Sequence, residues 1–216
     1  AAYGKVVMPL DADDMMESNR IETLYRVWEK NPHSVIYDEP MVVYKQKRQE
    51  VYRLPEYSFD LVLNKNPMHK GIVYSKQAWK EAGGYPSEMR FGREDWAFNI
   101  ALGVKGYCGI RVPQALYLYR RHDNNRTSRQ EADMLGGKSD WVTIFRDQLH
   151  KLYPELYKGE RPMGCCGGGR AKTVATAGRQ VGAFNYVKGA TGMVLLNYLG
   201  MKAGTVPVYG AVTRIR

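Results

Sequence analysis

The sequence predicts a mixed α/β domain followed by a Gly-rich, basic C-terminal tail, and three observations carry that prediction. Short β-prone apolar runs alternate with segments of helical period. Two of those runs stop on clustered charged residues, Asp11 to Asp14 and Arg120 to His122. Beyond Pro162 the composition changes, because twelve of the 22 glycines lie between Lys158 and Arg216, where acids all but vanish.

The elements follow in order. Gly4 to Leu10 is a short apolar run that stops at acids, as a buried strand delivering Asp11 to Asp14 would. Glu17 to Lys30 places Ile21, Leu24, Tyr25 and Trp28 at helical spacing, with Ser18 or Asp14 available as a cap. Val35-Ile36-Tyr37, Met41 to Tyr44 and Val51 to Leu54 read as strands, the first two separated by Asp38-Glu39-Pro40. Gly71 to Tyr74 is a further strand. Lys76 to Ala82 is a short helix that stops at Gly83-Gly84, where a left-handed turn is sterically easy. Another helix begins near Arg93, with Trp96, Ile100 and Val104 as an apolar stripe and Gly106 at its stop. Strands at 107–112 and 115–119 bring Arg120, Arg121 and His122 to a strand end. Lys138 to Tyr157 is helical again and is limited by Pro154. In the tail, Met193 to Leu199 and Thr205 to Tyr209 form a candidate small β unit. There is no internal repeat.

Composition narrows the class of protein. At 216 residues, 44% apolar and 25% charged, the chain is long enough for one folded domain with an appendage. No run approaches the roughly 18 to 20 apolar residues of a membrane-spanning helix, and neither a basic leader nor a signal-type apolar core opens the chain, so a cytoplasmic location is expected. Cys108, Cys165 and Cys166 give neither an even disulfide framework nor zinc-type spacing, and free thiols are expected. Of the net charge of +10, the stretch from Lys158 carries +8, with nine basic residues against one acid. A nearly neutral body with a basic attachment differs from a nucleic-acid-binding fold, where the charge would cover the domain itself.

The residues able to carry chemistry sit at the element ends. Asp11 and Asp13, spaced one apart at a strand end, are suited to holding a hard divalent cation through oxygen ligands. Taken alone, the same acids also read as a turn that caps the next helix. Glu94-Asp95 likewise reads as acids favoured at a helix N-terminus. Gly164 to Thr173 lacks the G-K-[ST] ending of a phosphate loop and reads as a flexible linker.

In combination these blocks are more specific. Leu10-Asp11-Ala12-Asp13-Asp14 resembles the L-D-A-D-D signature of family 2 glycosyltransferases, enzymes of the GT-A fold. Gly83-Gly84-Tyr85 and then Glu94-Asp95-Trp96 resemble that family's next block, in matching order and spacing. Tyr119-Arg120-Arg121-His122 with Ser128 resembles the segment that ends the catalytic domain. The resemblance implies a partial GT-A fold, a mixed sheet flanked by helices, and an inverting, metal-dependent, hexosyltransferase-like enzyme. Such an enzyme moves a sugar from a UDP- or other nucleotide-sugar donor to a hydroxyl of a carbohydrate or other acceptor. It implies Asp11 on the nucleotide side and among the metal ligands, Asp13 as metal ligand, and Mn2+ or Mg2+ as the ion. Asp95 corresponds to the general base, and Glu94 orients acceptor or loop. His122 is a candidate metal ligand, and Arg120 and Arg121 are candidate phosphate partners. Trp96 and Gly84 are candidate acceptor-binding residues, although the helical stripe suits Trp96 equally to core packing.

The pattern divides the chain into a metal- and acceptor-binding half at 1–128, a helical extension at 129–160, and a linker with a small β appendage at 161–216. That tail faintly resembles C-terminal appendages of phage-encoded proteins. Family members normally begin with a nucleotide-binding β/α half, which is missing before Ala1, so a fragment is expected whose own activity is a separate question from that of an intact protein. Two other readings stand beside the enzyme. One is a non-catalytic binding or virion-associated module whose basic tail meets nucleic acid or an acidic surface, and the other is a metal-dependent phosphoesterase using the same acids.

Overall fold

The computed structural model describes residues 3–89, 91–122, 125–137, 140–159, 194–197 and 210–212. The order is β1 (Val6–Leu10), β2 (Met15–Met16), α1 (Arg20–Lys30), β3 (Ser34–Tyr44), β4 (Lys47–Val51), α2 (Phe59–Asn64), β5 (Tyr74–Ser75) and α3 (Lys76–Glu81). Then follow α4 (Glu94–Val104), β6 (Cys108–Arg121), α5 (Arg126–Leu135), α6 (Trp141–Leu152), α7 (Pro154–Tyr157), β7 (Val194–Asn197) and β8 (Gly210–Val212).

The sheet is mixed. β3 runs parallel to β6, while β2 pairs with β6 and β4 with β3 in antiparallel register. β1 lies antiparallel between β5 and β7, with β8 beyond β7. The two sets of strands meet where Ile36 and Val73 exchange backbone hydrogen bonds of 2.9 and 2.8 Å.

Alternation along the strands feeds two cores. Val7, Val35 and Tyr37 enter one with Phe59, Val62, Ala78, Phe98, Ile100 and Leu149, whereas Val6, Met8 and Ile36 enter the other with Leu24 and Val27 of α1. The sheet therefore lies between α1 on one face and α2, α3, α4, α6 and α7 on the other. Helix starts are defined by side-chain caps. Ser58, Ser75 and Asp140 accept hydrogen bonds from the backbone N–H of Leu61, Ala78 and Thr143 at 3.1, 2.9 and 3.1 Å. Gly83 and Gly84 adopt φ of 81° and 75° after α3, the left-handed turn expected of that pair.

Several boundaries differ from the sequence expectation. Asp38-Glu39-Pro40 does not break the chain into two strands, because both acids are buried against arginines and register shifts on either side of Glu39 absorb the irregularity around Pro40. The partner runs 107–112 and 115–119 are likewise one strand, β6, whose pairing skips from Val112 to Ala115. The strand expected at Val51 to Leu54 falls earlier, as β4. Helices α2 and α5 are absent from the sequence expectation. The helical stretch 138–157 divides at Pro154, which opens α7. It also joins the main body, since Leu149 and Leu156 enter the first core and the Tyr153 and Tyr157 hydroxyls donate to the carbonyls of Ala97 and Leu63, both at 2.9 Å.

Cys108 is disulfide-bonded, which corrects the expectation of a free thiol there. β7 and β8 form an antiparallel pair; the second strand expected in the tail, Thr205 to Tyr209, and the Gly164 to Thr173 linker lie outside the described residues. Among the described residues no helix is long and apolar enough to cross a membrane.

Candidate active site

Buried β1 fixes Leu10, after which the chain turns so that the Asp14 N–H donates to the Asp11 carbonyl at 3.0 Å. The turn gathers three carboxylates, and ligand-capable oxygens of Asp11, Asp13 and Asp14 all lie within 4.8 Å of one another. Their environments differ. Asp14 is buried, and its oxygens accept from the Tyr117 hydroxyl at 2.6 Å and the Arg120 backbone N–H at 2.8 Å. Burial raises its pKa, against the opposing pull of Lys70, Tyr117 and Arg120. Asp11 is engaged by the Lys70 ammonium, which also lies 3.1 Å from Asp14. Burial works against that ammonium, but Asp11 and Asp14 outweigh it and hold its proton above the ordinary lysine range.

Asp13 is the most open of the three. Its Oδ2 lies 3.2 Å from His122 Nε2 and 3.4 Å from Asn125 Nδ2, and Arg120 Nε donates to its carbonyl. The donor set is thus rich in carboxylate oxygen with one imidazole alongside, which suits Mn2+ or Mg2+ and not a thiolate-preferring ion.

The second group opens α4. Arg93 takes a left-handed φ of 64° and turns the chain into the helix, placing Glu94 and Asp95 in its first turn. Asp95 Oδ2 accepts from Asn66 Nδ2 at 3.1 Å, and Asn66 in turn accepts from buried Asn99 at 2.9 Å. Burial, then Glu94, raise the Asp95 pKa, while Arg93, the Trp96 N–H and Lys70 oppose the rise. Glu94 lies 3.7 Å from Arg126 Nη1 on α5. The Trp96 ring packs against the core and its indole N–H donates to the Val62 carbonyl at 2.6 Å, so packing accounts for this side chain. Gly84 lies under Trp79, which a Cβ at Gly84 would approach to 3.0 Å.

The two acidic groups share one electrostatic neighbourhood. Lys70 acts on Asp11 and Asp14 and also on Asp95. The half-buried Tyr85, whose hydroxyl is bonded to the Tyr74 hydroxyl at 3.2 Å, feels both Asp95 and Asp11. Arg120 and His122 join the motif turn; Arg121 follows on β6, paired in register with Tyr44.

Sequence reasoning missed Lys70, Asn66 and Tyr117. Asn66 to Lys70 form a polar stretch between α2 and β5, the kind of connecting loop that often carries function. Tyr117 is hidden inside an apolar strand pattern, and nothing in the sequence marks it.

Residues 1–98 match the family model described as glycosyl transferase family 2, a span that contains both the Asp11 to Asp14 turn and Glu94-Asp95. The matched segment supports glycosyltransferase activity in general, and the mixed α/β architecture is consistent with part of a GT-A fold. Over this segment, a little under half of the chain, the protein is similar to glycosyl transferase family 2. No curated protein matches the chain.

Proposed function

We propose that the chain is the metal- and acceptor-binding part of an inverting glycosyltransferase that uses a divalent cation and a nucleotide-sugar donor. The observation that carries this reading is the acidic turn, where ligand-capable oxygens of Asp11, Asp13 and Asp14 lie within 4.8 Å of one another inside the same matched segment as Asp95. Asp13, with Asp11 and His122, would hold Mn2+ or Mg2+, whose chemistry is to neutralise the charge of a departing diphosphate. Arg120 lies beside Asp13 and is suited to phosphate oxygens; Arg121, which shares a β6 face with Tyr117 and Tyr119 by strand alternation, is the second proposed phosphate partner.

Asp95 is the proposed base. Burial and Glu94 raise its pKa, which makes the ionised carboxylate a stronger proton acceptor than an ordinary aspartate, and the Asn66 amide orients it. A base that removes the acceptor hydroxyl proton on the side opposite the leaving diphosphate gives single displacement with inversion. Glu94 tunes that base and meets α5 through Arg126. The acceptor is proposed to enter near Gly84, with Trp96 supporting the wall from the core.

The test is turnover of a panel of nucleotide sugars with Mn2+, read as transfer or donor hydrolysis. Asp13→Ala and Asp95→Asn should each reduce it by about 10²-fold or more, the scale of losing general base or electrostatic catalysis. Turnover indifferent to both substitutions, or hydrolysis of simple phosphodiesters without sugar transfer, would defeat the reading.

A further inference from the structure

Lys70 occupies the position at which the acidic turn calls for a cation. Its ammonium bonds Asp11 and lies 3.1 Å from Asp14, amid carboxylates whose ligand-capable oxygens gather within 4.8 Å. The Tyr119 ring sits 5.5 Å from the same nitrogen. Asp14 has no oxygen left over: one takes the Arg120 N–H, and the other takes the Tyr117 hydroxyl and Lys70. Asp11 Oδ2 is taken by Lys70. Asp13 alone of the three is not bonded to Lys70; it faces His122 and Asn125.

A divalent ion that used Asp11 together with Asp13 would meet the ammonium at contact range. Two cations cannot share one carboxylate oxygen in a partly buried site without strong repulsion. The lysine stem is unbranched and flexible, so Nζ can leave by rotation about its own bonds with the backbone in place.

We propose that Lys70 is the internal counter-cation of the Asp11 to Asp14 turn, a competitor that a divalent cation displaces as it binds. The inference rests on the metal reading given above and adds a residue outside the family motifs. It gives the turn a charge-compensated state without metal and weakens metal affinity by the work of moving the ammonium aside.

The test is direct Mn2+ binding to the full chain, followed by the loss of the free-ion electron paramagnetic resonance signal. Lys70→Gln should bind Mn2+ about tenfold tighter or more, because one positive charge at contact range is gone. Lys70→Arg, which keeps the charge, should stay close to wild type, and Asp13→Ala should lose binding. The wild-type chain offers a second readout that needs no variant to fold: Mn2+ should raise reductive methylation of the Lys70 amine severalfold, measured by peptide mass spectrometry. Binding that Asp13→Ala abolishes but Lys70→Gln leaves unchanged or weaker would overturn this inference and leave the metal site standing. Lys70 labelling unaltered by saturating Mn2+ would do the same. Absence of Mn2+ binding by both wild type and Lys70→Gln would overturn both.

Discussion

Asp95 keeps its proton to higher pH than an ordinary aspartate, because burial and then the neighbouring Glu94 disfavour its charge. As a base it must be ionised, so turnover should rise with pH through that raised pKa. Glu94→Gln removes one raising influence, and the acid limb of the kcat/KM profile should move to lower pH; a limb that stays in place would show that Glu94 does not tune the base. The same shift has a stability sign. A carboxyl whose folded pKa is raised favours the fold below its unfolded pKa and loses that contribution as pH rises through the folded value. Asp95→Asn should therefore unfold in urea at neutral pH no more easily than wild type, while losing turnover. A marked loss of stability would indicate that Asp95 is structural. The motif residues were legible because their order and spacing resemble a known family. Asn66 and Lys70 were not, because their partners lie 29 and 59 positions away and only the fold brings them together.

At the scale of elements, helix existence was legible where an apolar stripe was long, as in α1 and α4, or where a Gly-Gly stop marked the end, as in α3; it was missed in α2, whose six residues offer less than two full turns of pattern and no such stop, and in the mostly polar α5. Strand continuity was misread for a different reason. Asp38, Glu39 and Pro40 carry the local chemistry of a turn, and it is partners distant in sequence, Arg20 and His69 for Asp38 and Arg111 and Arg53 for Glu39, that allow the acids to be buried mid-strand. The loop between α2 and β5 is equally dependent on context. A Cβ at Gly71 would come within 2.6 Å of the Tyr117 ring, whose hydroxyl supports Asp14. Gly71→Ala should therefore both destabilise the fold, by about 1 to 3 kcal/mol as overpacking does, and weaken Mn2+ binding. Thermal melts and metal titration of that variant check the pair of effects, and a variant with wild-type values in both would separate Gly71 from the site.

The described residues are held by a sheet with a core on each face, and beneath the acidic turn by a buried polar network. Arg20 and Asp38, both fully buried, form a two-point pair at 3.0 and 2.8 Å. His69 Nε2 lies 3.1 Å from Asp38, and the Arg20 guanidinium stands 4.9 Å over the Tyr117 ring. Through Tyr117 this network reaches Asp14, so the floor of the site is part of the fold's own polar core. Burial tends to raise the Asp38 pKa, but Arg20 and His69 overcome it and hold the carboxyl below the usual range. A depressed pKa contributes stability above the unfolded pKa and loses it as pH falls through the folded one. Asp38→Asn should accordingly cost about 3 to 5 kcal/mol at neutral pH, the range for breaking a buried pair. That difference from wild type should shrink as pH falls below about 3.9. Urea titrations at neutral and acid pH measure both, and a pH-independent difference would contradict the linkage.

A metal-dependent sugar transfer with Asp95 as the base would leave its mark on the anomeric configuration of the first-formed product. This is read by proton NMR during turnover of a nucleotide sugar, with metal removed by a chelator and then restored. The inverted anomer is expected, formed only when Mn2+ or Mg2+ is present and lost with Asp95→Asn. A retained anomer, or turnover that persists without metal, would contradict it.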